Sequence, residues 1–173
     1  VPLADEDDYE LEPLAGVGVN YDVTDTIDAY GNLSQGYRPK IFSQAVPNGT
    51  NQVVNADLQD GRSWQTDLGV RGEFVETGLR WDASWFFMVF DDQIGSATVN
   101  GQSSVQNVGD AEHTGVELFI EQDVVSLWDN WTGSTYGDSF GQLGVFAGAM
   151  WLDAEFVGGP NKGKTPQYAP DYT

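Results

Sequence analysis

The sequence predicts an all-β protein built as an antiparallel up-and-down meander. Two observations carry that reading. Apolar residues recur at every second position through most of the chain, while helical periodicity is nearly absent. The connections between these segments also alternate in length. They are short after the first and third segments and longer after the second and fourth, and only the turn at 126–140 breaks the trend.

The first strand is expected over about 13–23. Ala15, Val17, Val19 and Tyr21 share one face, and Gly16, Gly18, Asn20 and Asp22 the other. Thr24-Asp25-Thr26 forms a tight turn. The second strand runs over about 27–35, with Ile27, Ala29 and Leu33 opposite Asp28, Asn32 and Ser34. Residues 36–62, rich in Pro, Gly, Asn and Gln, read as a long loop. The third strand covers about 63–73, where Trp64, Thr66, Leu68 and Val70 alternate with Gln65, Asp67, Gly69 and Arg71. After a short turn at Glu76-Thr77-Gly78, the fourth strand spans 79–93. Trp81, Ala83, Trp85, Phe87 and Val89 line one face, and Phe86, Met88 and Phe90 make the other face apolar toward one end.

Residues 95–104 form a Gly/Ser/Asn loop. The fifth strand, about 105–124, sets Val116, Leu118 and Ile120 against Glu117, Phe119 and Glu121. Residues 126–140 read as a turn region, and no helix longer than about two turns is expected. The sixth strand is 141–154, followed by a Gly/Lys/Pro loop over 157–170. Asp171-Tyr172-Thr173 reads as the start of another strand. Short turns at one rim and long loops at the other are the construction of outer-membrane barrels, and a water-soluble sandwich has no reason for them.

Composition narrows the partners. The chain carries 27 Asp+Glu against 7 Lys+Arg, a net charge of -20. Nucleic acid needs clustered cations and is excluded as a partner. A hydrophobic content of 40% separates the chain from disordered acidic tails. Cysteine is absent, which removes disulfides, thiolate metal sites and cysteine nucleophiles. Residues 1–12 hold six acids and no base, so no signal peptide is visible. No apolar run reaches the roughly 20 residues of a membrane helix, but a β-barrel needs none.

Several motifs reduce to bland readings. Gly158 to Thr165 satisfies G-x-x-x-x-G-K-[ST], yet Pro166 and Pro170 preclude the helix that a phosphate loop requires. The segment reads as a plain loop. The acidic runs Asp5-Glu6-Asp7-Asp8 and Asp91-Asp92 lack a calcium-loop pattern and read as solvated. His113, the single histidine, is assigned a structural or solvent-facing role. Asn48-Gly49-Thr50 and Asn130-Trp131-Thr132 match a short, weak glycosylation pattern. No catalytic constellation is present, so no enzyme activity, resident metal or cofactor is expected. Trp64, Trp81, Trp85 and Trp151 lie on the apolar faces of their strands, which suits a buried core or a membrane girdle.

Taken in order, a set of segments resembles the C-terminal half of the barrel of TonB-dependent outer-membrane receptors. Ser34, Gly36, Tyr37, Arg38 and Pro39 match S-x-G-[FY]-[RK]-P ahead of an extracellular loop. Asp67-Leu68-Gly69-Val70-Arg71-Gly72 is similar to E-x-G-x-[KR]-G, with Asp at the usual Glu position. Phe90-Asp91-Asp92-Gln93-Ile94 is similar to Y-x-D-x-I. Asn107, Gly109, Ala111, Gly115 and Glu117 match N-x-G-x-A-x-x-x-G-x-E. Gly163, Pro166 or Gln167, and Ala169-Pro170 resemble the segment before a late strand. S-Q-G-Y-R-P and the A-P tail look most like the ferric dicitrate branch.

The resemblance implies that residues 1–173 are an incomplete fragment of a 22-stranded transmembrane β-barrel in the bacterial outer membrane, without the N-terminal plug. It implies a transporter segment for iron chelates of the ferric citrate or siderophore kind, energised through the TonB coupling protein. The implied partners are outer-membrane lipid, the coupling protein and a ferric chelate. Arg38, Lys40 and Arg62 are the candidate ligand contacts, because such a chelate is anionic. The acidic remainder leaves open a receptor for cobalamin or glycans. A soluble acidic β-sandwich that binds carbohydrate is the reading from another class.

Val17, Val19, Leu68, Val70, Trp85, Phe87, Val116, Leu118, Val145 and Ala147 should face lipid. Asn20, Asp67, Arg71, Asp82, Glu117 and Glu121 should face the lumen. Turns 24–26, 74–78 and 126–140 share the periplasmic rim, and loops 36–62, 95–104 and 156–170 the outer rim. The outer loops then hold Arg38, Lys40, Arg62, Lys162 and Lys164.

Overall fold

Period-two alternation resolves into six long antiparallel strands. The computed structural model describes residues 12–41, 52–53, 55, 57–99, 101–167 and 169–173. Its elements are β1 (Gly16–Thr24), β2 (Ile27–Arg38), β3 (Gln52–Val53), β4 (Gly61–Phe74), β5 (Leu79–Asp91), β6 (Ile94–Val99), β7 (Gln102–Asn107) and β8 (Ala111–Asp123). Helices α1 (Val124–Thr132) and α2 (Tyr136–Phe140), β9 (Gly144–Phe156) and a 3-10 turn (Gly159–Asn161) complete them. The main sheet has the order β1-β2-β4-β5-β8-β9, an antiparallel meander. Residues 171–173 continue it: Leu152 N–H donates to Asp171 O at 2.9 Å, and Met150 and Thr173 exchange two bonds at 3.0 Å. That is the strand start expected there.

The structure corrects the sequence reading in four places. The 95–104 loop is largely a hairpin, β6 against β7, in a separate three-stranded sheet. The fifth strand is therefore two, broken between Asn107 and Ala111. The 126–140 turn region is helical, and α1, nine residues long, exceeds two turns. Pairing is also not antiparallel throughout, because β3 runs parallel to β7 over two residues. Asp5-Glu6-Asp7-Asp8 and Asn48-Gly49-Thr50 lie outside the described residues.

Because directly paired residues share a face, the register assigns every strand position to one side. One row runs Val19–Gly31–Leu68–Trp85–Val116–Trp151 across all six strands. The next runs Tyr21–Ala29–Val70–Ala83–Leu118–Ala149. All ten residues expected to face lipid fall on this side, and all six expected in the lumen fall on the other. The four strand tryptophans named above are on the apolar side. The face is open: Val17 and Val19 are each 68% exposed, and Leu118 53%. On it the Trp85 indole N–H finds a partner within the sheet, donating to Thr114 Oγ1 at 3.0 Å.

The opposite face is polar and cross-linked over β1, β2 and β4, and carries Phe86, Met88, Phe90, Phe119 and Phe146 on the later strands. Tyr30 donates to Asp82 Oδ1 at 2.9 Å by reaching over Gly69 on the intervening strand. A side chain at Gly69 would collide with that ring, as one at Gly115 would with Phe86. Arg71 sits 5.5 Å above the Tyr30 ring and donates to Asn20 Oδ1 at 3.1 Å and Asp28 Oδ2 at 3.4 Å. Among the described residues, the one cluster of buried apolar residues, Val108, Ala111 and Phe156 with Phe90 against it, lies at the long-loop rim.

Candidate functional site

At the long-loop rim, loops from distant parts of the chain are tied together by backbone and side-chain amides. Asn107 is the hub. Its Nδ2 donates to Gln59 O at 3.0 Å and Asp92 O at 2.8 Å, and its Oδ1 accepts from Gln59 N at 2.9 Å. Asp110 Oδ1 accepts from Asp92 N at 3.0 Å, and Asp110 O accepts from the amides of Val157 and Gly158 at 2.8 and 3.2 Å. Asn161 Nδ2 reaches Val108 O at 3.0 Å. Asp92 is held at a φ of 52°, which few non-glycine residues adopt. Asn107, Gly109 and Asp91-Asp92-Gln93 thus build a clasp. Gly158 to Thr165 contributes to it as a loop with a 3-10 turn and no following helix, as expected.

The three candidate ligand contacts stand on this rim but on different sides of the sheet. Lys40 and Arg62 line one open cleft of about 680 Å³, shared with Glu12, Asp57, Asp60, Asp91 and Asp92. Arg62 Nη2 donates to Glu12 Oε1 at 3.1 Å. The Lys40 amide donates to Asp60 Oδ1 at 2.7 Å and its ammonium to Leu58 O at 3.2 Å. Tyr37 donates to Asp60 Oδ2 at 2.6 Å. Partial burial opposes ionisation of Asp60. The Lys40 amide, the Tyr37 hydroxyl and the charges of Lys40 and Arg62 outweigh it, so the carboxyl titrates below the ordinary aspartate value.

Arg38 differs. It pairs with Gly61, whereas Tyr37 pairs with Arg62, so Arg38 and Arg62 occupy opposite faces. Arg38 belongs to the polar face that carries Tyr30 and Asn32, and its guanidinium donates to Ile94 O at 3.0 Å, at the base of the β6–β7 hairpin. His113 lies on the same face farther along the wall, 4.9 Å from the Phe90 ring, a packing role consistent with the structural assignment. The clasp itself was not foreseen as a unit. Its signal was present, since the motif residues that gave the family resemblance are its members.

Strands of 9 to 14 residues, long enough to cross a bilayer, with an apolar outside and a polar inside, define a wall of an outer-membrane barrel. The chain belongs to the TonB-dependent receptor family: the model described as TonB dependent receptor-like, beta-barrel, matches residues 8–173. That membership places it in the outer membrane of Gram-negative bacteria. Among solved structures it is similar to "Copper transporter OprC", at 19% identity and a TM-score of 0.58, over 82% of this chain and 20% of that one. The chain therefore spans about a fifth of that protein's length. No curated protein matches it in sequence.

Proposed function

We propose that the chain forms part of the wall of an outer-membrane active transporter that takes up an iron chelate, of the ferric citrate or siderophore kind. Uptake is energised through the TonB coupling protein, which engages a plug supplied by the rest of the receptor. The family match over residues 8–173 carries the transport reading. The soluble sandwich is set aside, since the described strands make one wall and a small rim sheet, with no strand stacked face to face on the wall.

The chelate reading rests on the cations of the outer rim, and Arg38 supports it best because it stands on the lumen side. Lys40 and Arg62 are engaged with acids and carbonyls, and serve capture more than contact. In the full-length receptor, Arg38→Ala should weaken binding of ferric citrate by about tenfold at low salt, the worth of one charge-assisted hydrogen bond, and by less at high salt. Arg62→Ala should have a smaller effect. Unchanged affinity in both variants for every ferric chelate tested would remove these residues from the ligand path. A second reading has one observation in its favour: five carboxylates surround two cations in the rim cleft, which suits a neutral or cationic ligand such as cobalamin or a glycan. Binding titrations with cobalamin and ferric citrate side by side separate the two.

A further inference from the structure

The helical excursion between β8 and β9 lies at the short-turn rim, the periplasmic one in this architecture. Asp123 caps α1, accepting from Val125 N at 3.0 Å and from the Ser126 hydroxyl at 2.6 Å. Gly133 ends it in the left-handed region, at a φ of 71°. Val124, Leu127, Trp128 and Trp131 are spaced i, i+3, i+4 and i+7, a single stripe along the helix. All four are exposed, Trp131 at 80%. Tyr136 and Phe140, one turn apart on α2, are exposed as well. Ser126 and Asp129 fall on the opposite side of the helix. Asp129 is tied to the loop beyond it by Ser134 Oγ at 2.6 Å and the amides of Tyr136 and Gly137 at 3.0 and 2.8 Å.

The apolar stripe begins, at Val124, on the lipid-facing side of the wall. On that surface the last paired row is Phe74–Leu79–Gln122–Val145, with no charge in it. Val124 and Leu143 extend it by one step, joined by a bond from Val124 N to Leu143 O at 2.9 Å. From Thr114 to Val124 the strand covers about 33 Å at about 3.3 Å per residue. Tilted by about 40°, that spans about 25 Å, the height of a barrel's apolar band. The helix thus begins where the hydrocarbon ends. No Lys or Arg occurs between residues 124 and 143, so attraction to anionic headgroups does not hold it. Exposed Trp and Tyr at this depth are the residues that partition into a lipid interface.

We propose that α1 and α2 lie in the periplasmic lipid interface of the outer membrane, with Val124, Leu127, Trp128 and Trp131 inserted among phospholipid acyl chains beside β8 and β9. The full-length receptor, in a cysteine-free background and in phospholipid nanodiscs, tests this with nitroxide labels at Trp131→Cys, Trp128→Cys and, for comparison, the exposed Asp138→Cys. Labels at 131 and 128 should collide several-fold less with a water-soluble nickel chelate than the label at 138, and more with oxygen. Aqueous collision rates equal to those at 138 would overturn the proposal. So would low rates with both reagents, which would mean that protein covers the stripe. A label at Leu118→Cys on the wall reports whether the barrel itself sits in the bilayer. If that label is aqueous, the outer-membrane assignment fails and the helix proposal fails with it. If it is lipid-exposed while 131 is aqueous, the helix proposal alone fails.

Discussion

Leu118→Arg should lower the folding stability of the intact receptor in a bilayer by about 2–4 kcal/mol, the cost of a cation at the midplane of a barrel's lipid face. Leu118 sits near the middle of the apolar band, flanked by Ala83 and Ala149, and is 53% exposed to whatever surrounds the wall. Those small neighbours offer an arginine no acceptor, and snorkelling to either rim would have to cover about half the band. Glu117→Arg, one residue away, places the same charge on the lumen side, between Ser84 and Met150. It should cost less than about 1 kcal/mol, because that face is wet and polar. Reversible urea unfolding in phospholipid vesicles measures both. Equal costs at the two positions would mean that the two faces of the sheet are assigned wrongly.

Gly109→Ala is the substitution expected to do most damage at the outer rim. Gly109 has a φ of 129°, outside the range an alanine readily adopts, and an added Cβ would meet the carbonyl of Gly158. Backbone strain of this kind costs about 1–3 kcal/mol, and the collision adds to it. The expected result is an opened clasp: faster amide exchange over 92–110 and 157–161, and cleavage there by protease added to intact cells. Gly101→Ala is the matched control. Gly101 has a φ of 79° but no atom within 4 Å of where its Cβ would stand. It should show the conformational strain without the collision, and leave the clasp closed. If the two variants behave alike, contact with Gly158 plays no part.

The wall was legible in the sequence because a strand with one face in lipid and one in water must alternate, and Trp85, Val116 and Leu118 do so against Ser84, Gly115 and Glu117. What failed was local. The β6–β7 hairpin carries Gly95, Ser96, Ser103 and Ser104, residues that signal loops, and its pairing comes from its position on the rim. The helix α1 was legible after all. Its stripe of Val124, Leu127, Trp128 and Trp131, its cap at Asp123 and its stop at Gly133 are visible in the sequence. Lying between two antiparallel strands, the same residues also read as a turn, and period-two alternation on both sides favours that reading. The candidate site divided the same way. Motif spacing located the rim residues, but the register alone shows that Arg38 and Arg62 stand on opposite faces. Glu12 and Asp60, which engage Arg62 and Lys40, are 50 and 20 residues away from them in the chain, a distance at which sequence gives no sign of contact.

A wall of alternating residues has a weakness in assembly. Sliding one strand past its neighbour by two positions keeps lipid-facing residues in lipid and polar ones in the lumen, so hydrophobicity alone barely distinguishes the slipped arrangement from the native one. The fixed points that break this degeneracy are the rings laid over glycines and the hub at Asn107. Tyr30 fits only where Gly69 lies opposite, and Phe86 only against Gly115. Asn107 finds Gln59 and Asp92 together only when β4, β5 and β8 are all in step. Val157, Gly158 and Asn161, from beyond β9, bond Asp110 and Val108 beside the hub, so the clasp as a whole closes only when β9 is in place as well. The closed clasp therefore requires β4, β5, β8 and β9 to be in register at once, and it ties that alignment down at the long-loop rim.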